Sequence, residues 1–113
     1  MANFDELPEF QKELKRLSKK YRTLDDDFEK FKKVLLVAPT GSGSNFVIIH
    51  SSLNTKMVKA RLACRALRDR SLRIIYVHFE RERRIEFIEL YFKGDKENED
   101  RARIKEYLKN HQN

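Results

Sequence analysis

The hydrophobic period of this chain changes once, near residue 46, and that change limits what the chain can build. Before it, apolar side chains recur at helical spacing. Phe10, Leu14, Leu17 and Tyr21 fall at i, i+4, i+7 and i+11, one stripe on one helix. Leu24, Phe28, Phe31 and Leu35 make a second stripe. Thr23 stands three residues before Asp26, a capping-box-like start that puts Asp25, Asp26 and Asp27 at the positive end of a helix. A break at Arg22-Thr23 predicts a helical hairpin. Pro39-Thr40-Gly41-Ser42-Gly43-Ser44-Asn45 then reads as a turn-rich linker. It lacks the Gly-Lys-Ser/Thr ending of a phosphate-binding loop.

After the linker the period is two. Phe46–His50 is a short apolar run. Val58, Ala60, Leu62 and Cys64 alternate with Lys59, Arg61, Ala63 and Arg65, which predicts a strand with one apolar and one basic face. Leu72–Glu80 is apolar on both faces after Arg73, as a central strand should be. Glu86, Ile88, Leu90 and Phe92 alternate with Ile85, Phe87, Glu89, Tyr91 and Lys93 in a further strand. Arg81–Arg84 suits the hairpin turn between these two, and Gly94-Asp95 ends the sheet. Asn98 is a candidate cap for a last helix, with Glu99 and Asp100 in its first turn and Ile104, Tyr107 and Leu108 on its apolar side. The prediction is an α+β domain: an N-terminal helical hairpin packed on a twisted antiparallel sheet of about four strands, with a C-terminal helix. One domain covers residues 1–113, with the hairpin over 1–37, the linker over 38–45, the sheet over 46–95 and the last helix over 96–110.

The chain's 113 residues suit a single domain, and 40% hydrophobic residues suffice for one modest core. No apolar run approaches the roughly 18 residues of a membrane span. The opening Met1-Ala2-Asn3-Phe4-Asp5-Glu6 has neither the basic nor the apolar segment of a secretory signal. Cys64 is the sole cysteine and has no internal disulfide partner. The expected compartment is the cytoplasm, with no membrane association. The net charge of +7 is focused: residues 56–84 carry 10 basic and 3 acidic side chains, while the stretches on either side are close to balanced. Such focusing attracts polyanions, although a solvated charged face has the same composition.

Strand alternation puts Lys59 and Arg61 side by side on one sheet face. Tyr91 and Lys93 share a face of another strand, and Arg73 begins the strand expected between them. These five are the candidate catalytic residues. Lys56, Arg65 and Lys96 join Lys59, Arg61 and Arg73 as candidate RNA contacts. Cations hold phosphates, and an aromatic ring stacks on an unpaired base. The same cluster has the groups to cleave RNA without a metal. A 2′-hydroxyl must lose a proton, the phosphate must be neutralised, and the 5′-oxygen must gain a proton. Arginine suits the second task, and a lysine can serve as base if neighbouring cations lower its pKa. His50, His78 and His111 lack metal-ligand spacing with Cys64 or with one another. His78, between Val77 and Phe79, reads as a packed histidine, and Cys64 as inert core. No Ser-His-Asp pattern occurs, and no metal or small-molecule cofactor is expected.

The order of elements resembles the RelE/ParE toxin superfamily. The likeness rests on Phe10-Gln11-Lys12-Glu13-Leu14-Lys15-Arg16-Leu17, on Val58-Lys59-Ala60-Arg61-Leu62 followed by Leu72-Arg73-Ile74-Ile75-Tyr76, and on Ile85 through Lys96. The resemblance implies the toxin of a type II toxin–antitoxin system: a metal-independent mRNA endonuclease that acts at the ribosome and inhibits translation, with a cognate antitoxin as partner. In RelE-like enzymes an alternating basic pair and an arginine opening the next strand contact the message. Lys59, Arg61 and Arg73 match these by position, and Lys93 matches a basic residue at the end of the last strand. The family pattern also has a tyrosine soon after that strand. Here the segment reads Gly94-Asp95-Lys96-Glu97-Asn98-Glu99-Asp100, with none. The resemblance therefore leaves two alternatives: a non-catalytic ParE-like inhibitor of DNA gyrase, or a degenerate toxin that only binds its antitoxin.

Overall fold

In the computed structural model, which describes residues 3–41, 43–68 and 70–111, the switch of period coincides with a switch from helix to sheet. Ser42 of the linker lies outside the described residues. Pro8 occupies the first turn of α1 (Pro8–Lys20), where its missing N–H is no loss and its fixed φ suits a helix. Lys19 and Lys20 close α1 at its negative end. α2 (Leu24–Val37) opens with the three aspartates. Thr23 is its N-cap residue, but the hydroxyl makes no capping bond. It accepts instead from the Ala66 N–H at 3.0 Å. The two predicted stripes are the buried side of the pair, with Phe10, Leu17, Leu24 and Leu35 fully enclosed.

The sheet has five strands and is mixed, where about four antiparallel strands are expected from the sequence. β1 (Asn3–Glu6) precedes α1 within the segment predicted to be wholly helical, and it runs parallel to β5 (Arg84–Phe92). Phe4 is its one apolar residue, stacked 5.8 Å from Phe87, so the strand carries no alternation long enough to read. The others are β2 (Phe46–Ser51), β3 (Thr55–Ala63) and β4 (Ser71–Phe79). The spatial order is β1-β5-β4-β3-β2, which puts the doubly apolar β4 in the centre. The last helix, α3 (Arg101–Asn110), starts later than residue 96. Its cap is Asp100, which accepts from the Arg103 N–H at 3.0 Å, and not Asn98.

The two faces of the sheet are covered unequally. The helical hairpin packs over Val58, Ala60 and Leu62 of β3 and Cys64 just past it, Leu72, Ile74 and Tyr76 of β4, and Ile85, Phe87 and Leu90 of β5. Phe87 lies at the middle of this layer, its ring against those of Phe4, Phe10, Phe28 and Tyr76. On the opposite face α3 covers one half, burying Tyr107 with Met57, Ile75, Val77, Phe79 and Ile88. The remaining half of that face carries the polar side chains.

An irregularity in β5 decides which side chains arrive there. Ile75 pairs with Glu89, but Tyr76 pairs with Phe87, so Ile88 is an extra residue in the ladder. An extra residue in one strand shifts its alternation by one. Without it, Glu89 and Tyr91 would share the helix-covered face of Phe87. With it, both share the face of Ile75 and Arg73.

β1 stops at Glu6, so the outer edge of β5 beyond it has no strand partner. Side chains take the place of a strand. The Leu90 N–H donates to Glu13 Oε1 at 3.1 Å, and Arg103 Nη1 donates to the Ile88 carbonyl at 3.0 Å. Arg103 and Glu13 then pair through two bonds of 2.9 Å, joining α3 to α1 around the edge.

Candidate nucleic-acid interface

The register of β3, β4 and β5 assembles the predicted cluster. Arg61 lies opposite Arg73, and Arg73 opposite Tyr91, giving one row across three strands. The next row is Lys59, Ile75 and Glu89. Arg61 is exposed. Arg73 is half-buried and donates to Ser71 Oγ at 2.8 Å. Among the described residues neither arginine is ion-paired. Tyr91 is 3% exposed, and its hydroxyl is buried without a hydrogen-bond partner of good geometry. Two guanidinium forks side by side on a rigid sheet suit a phosphate.

The segment after β5 folds back over this platform. Glu89 is fully buried, and it accepts from the Lys96 ammonium and from the Asp100 N–H at 2.8 Å. Lys96 also sits 5.0 Å from the centre of the Tyr91 ring. Glu99 Oε1 lies 2.8 Å from Lys59 Nζ, with both side chains largely shielded from solvent.

This pairing reverses one expectation. Neighbouring cations should lower the Lys59 pKa and make it a base. Instead, the hydrogen bond to Glu99 holds the Lys59 ammonium above its ordinary value, against the opposing effect of burial. Lys59 stays charged at neutral pH. Burial pushes the Tyr91 phenol up, and the Lys59 charge offsets that only in part. The hydrogen bond from Lys59 holds the Glu99 carboxyl below its usual range.

The other candidates lie elsewhere. Lys93 is exposed in the turn just past β5. Lys56 has the wrong parity on β3: it stands opposite His78 and pairs with Glu80 at 3.1 Å. Arg65 has left the strand, because β3 ends at Ala63 and Arg65–Leu67 form a single 3-10 turn. Its backbone N–H and its Nε each lie 3.0 Å from the Asp27 carboxylate, tying the end of β3 to α2. Burial alone would raise the Asp27 carboxyl, but hydrogen bonds with Thr23 and Arg65 outweigh it and hold the pKa below the usual value. Cys64 is buried in the core layer. Among the described residues no three His, Cys, Asp or Glu side chains gather as a metal site requires. None of the described helices is long and apolar enough to cross a membrane.

The fold has a solved counterpart. It is similar to a chain of the archaeal RelE–RelB complex from Pyrococcus horikoshii OT3, with a TM-score of 0.63 and 19% identity. The match covers 82% of this chain and 96% of that one. The fold is RelE-like. No family model matches the sequence, and no curated protein matches it. The RelE-like likeness is thus carried by the arrangement of strands and helices. Lys59, Arg61 and Arg73 lie on the half of the sheet face that α3 leaves uncovered, and the extra residue Ile88 brings the buried Tyr91 to the same face. Glu89 and Glu99 are the members that sequence reasoning did not single out. Glu89 is marked only as the one charge in the run Phe87–Phe92, and Glu99 only by the acidic run Glu97, Glu99 and Asp100.

Proposed function

We propose that this chain is the toxin of a two-protein toxin–antitoxin pair, and that it cleaves mRNA at the ribosome with its own side chains, so blocking translation. The row Arg61, Arg73 and Tyr91 is the observation that carries this reading. Two arginines on adjacent strands, without carboxylate partners among the described residues, form a phosphate clamp beside the buried ring of Tyr91. The RelE-like fold supports the assignment, since the Pyrococcus horikoshii chain was solved in a RelE–RelB complex. By the same analogy the partner is a cognate antitoxin whose acidic or amphipathic segment covers the cationic half-face.

A second reading has its own support. The segment from Gly94 to Asp100 has no tyrosine, and Lys59 is engaged by Glu99. Both facts favour a non-catalytic relative that inhibits gyrase or another target. Induced expression in cells separates the two. Mapping message ends should reveal new cleavage sites within translated reading frames, while gyrase supercoiling activity stays unchanged. Intact messages beside lost supercoiling would reject the nuclease in favour of the gyrase inhibitor.

A further inference from the structure

Cleavage of RNA through its 2′-hydroxyl needs a group that is unprotonated at neutral pH and close to the phosphate. A guanidinium is too weak an acid to serve as that group. Lys59 is held in its charged form by its carboxylate partner, and Tyr91 is held in its neutral form by burial. Glu89 is fully enclosed, with its two oxygens committed to Lys96 and to the Asp100 N–H. Among the described residues Glu99 is the other carboxylate bound to the platform, through Lys59 at 2.8 Å.

We infer that Glu99 is the general base of this site and Lys59 its paired general acid, in place of the missing tyrosine. The inference rests on the nuclease reading above. In the reaction, the attacking 2′-hydroxyl gives its proton to the Glu99 carboxylate while its oxygen bonds to phosphorus. The bond from phosphorus to the 5′-oxygen breaks, and that oxygen takes a proton from the Lys59 ammonium. Arg61 and Arg73 hold the nonbridging oxygens. The products are a 2′,3′-cyclic phosphate and a 5′-hydroxyl. A proton passing from Glu99 to Lys59 restores the starting pair, and no other reactant is consumed. The charged and titratable groups facing Glu99 are Lys59 on β3, Tyr91 on β5 and Arg101 at the start of α3. The dominant one is Lys59, so the base stays ionised through the neutral range.

The test is single-turnover cleavage of a ribosome-bound message by wild type, Glu99→Gln, Glu99→Asp and Glu99→Ala. RNA binding by each protein is measured in parallel. A general base contributes on the order of 100-fold or more, so Glu99→Gln should lose at least that in rate. Its RNA binding should hold or tighten, because a negative charge has left a cationic surface. Glu99→Asp should keep part of the rate, and added formate should restore part of the Glu99→Ala rate. A message with a 2′-deoxy sugar at the cut should resist wild type. Cleavage by Glu99→Gln at the wild-type rate would overturn the role of Glu99 and leave the nuclease reading standing, with Glu99 a mere screen over Lys59. No cleavage by wild type would overturn both.

Discussion

The side-chain clamp on the open edge of β5 makes a strong quantitative claim. Glu13 and Arg103 are 15% and 19% exposed, and each also satisfies a backbone group of β5. Glu13→Ala would leave the Arg103 guanidinium without its anion and the Leu90 N–H without an acceptor. Breaking one side of a buried pair costs roughly 3–5 kcal/mol, and the partial exposure here lowers that to about 2–3 kcal/mol. Arg103→Ala should cost about the same, since it strands Glu13 and the Ile88 carbonyl. The double variant should lose less than the sum of the two, with a coupling of about 1.5 kcal/mol. For a domain of this size a loss of 2–3 kcal/mol lowers Tm by about 10 °C. Urea unfolding of the four proteins gives the cycle directly. Losses that add to within about 0.4 kcal/mol would show that Glu13 and Arg103 stabilise the edge independently, and the clamp would be wrong.

Three further outcomes are expected. Gly41 has φ +67°, and an added Cβ would lie 2.2 Å from the Phe46 ring, whereas Gly43 at φ +83° has open space around it. Gly41→Ala should therefore cost about 2–3 kcal/mol and Gly43→Ala only about 1 kcal/mol in urea unfolding, and equal losses would refute the close approach. The Asp27 carboxyl is depressed by its hydrogen bonds, so its stabilisation is fully present above the ordinary value of 3.8 and is lost as pH falls through the lower folded value. Asp27→Asn should lower stability at pH 7 and flatten the acid limb of a stability-against-pH curve; an unchanged limb would rule Asp27 out as its source. Arg73→Lys keeps the charge and removes the fork, so cleavage should fall on the order of 100-fold while RNA affinity stays within a few-fold, read by single-turnover rates beside binding at two salt concentrations. Equal cleavage rates would argue that Arg73 supplies charge alone.

What could be read from residues alone follows physical range. Stripes at helical or strand spacing are local, and they carry the hairpin, the central strand and the pair Arg61 and Arg73, whereas Tyr91 reaches that row only through the extra residue Ile88. Lys56 was grouped with that row by charge, although its parity on β3 points it to the other face. Arg65 was placed on the strand because alternation runs on to it, but Asp27, distant in sequence, draws it into a turn. The extra residue Ile88 shows in the sequence only as one of the adjacent apolar pair Phe87-Ile88 between Glu86 and Glu89. Glu99 lies in the loop before α3, where no periodicity exists to place it. The clamp joins residues 90 positions apart, and its members look like ordinary surface charges in the sequence.

The parallel pairing of β1 with β5 has a consequence for how the protein comes into being. Residues 3–6 wait for residues 84–87 before they have a partner, and the cationic row needs β3, β4 and β5 together. Contacts so distant in sequence form late, after the cost of closing the intervening chain has been met. During synthesis the helical hairpin emerges first and can form on its own local contacts, but the row cannot assemble until Tyr91 has left the exit tunnel. Lys59 meets Glu99 later still. A chain with this topology gains its cationic row only after residue 91 has been made, and the pairing of Lys59 with Glu99 only after residue 99.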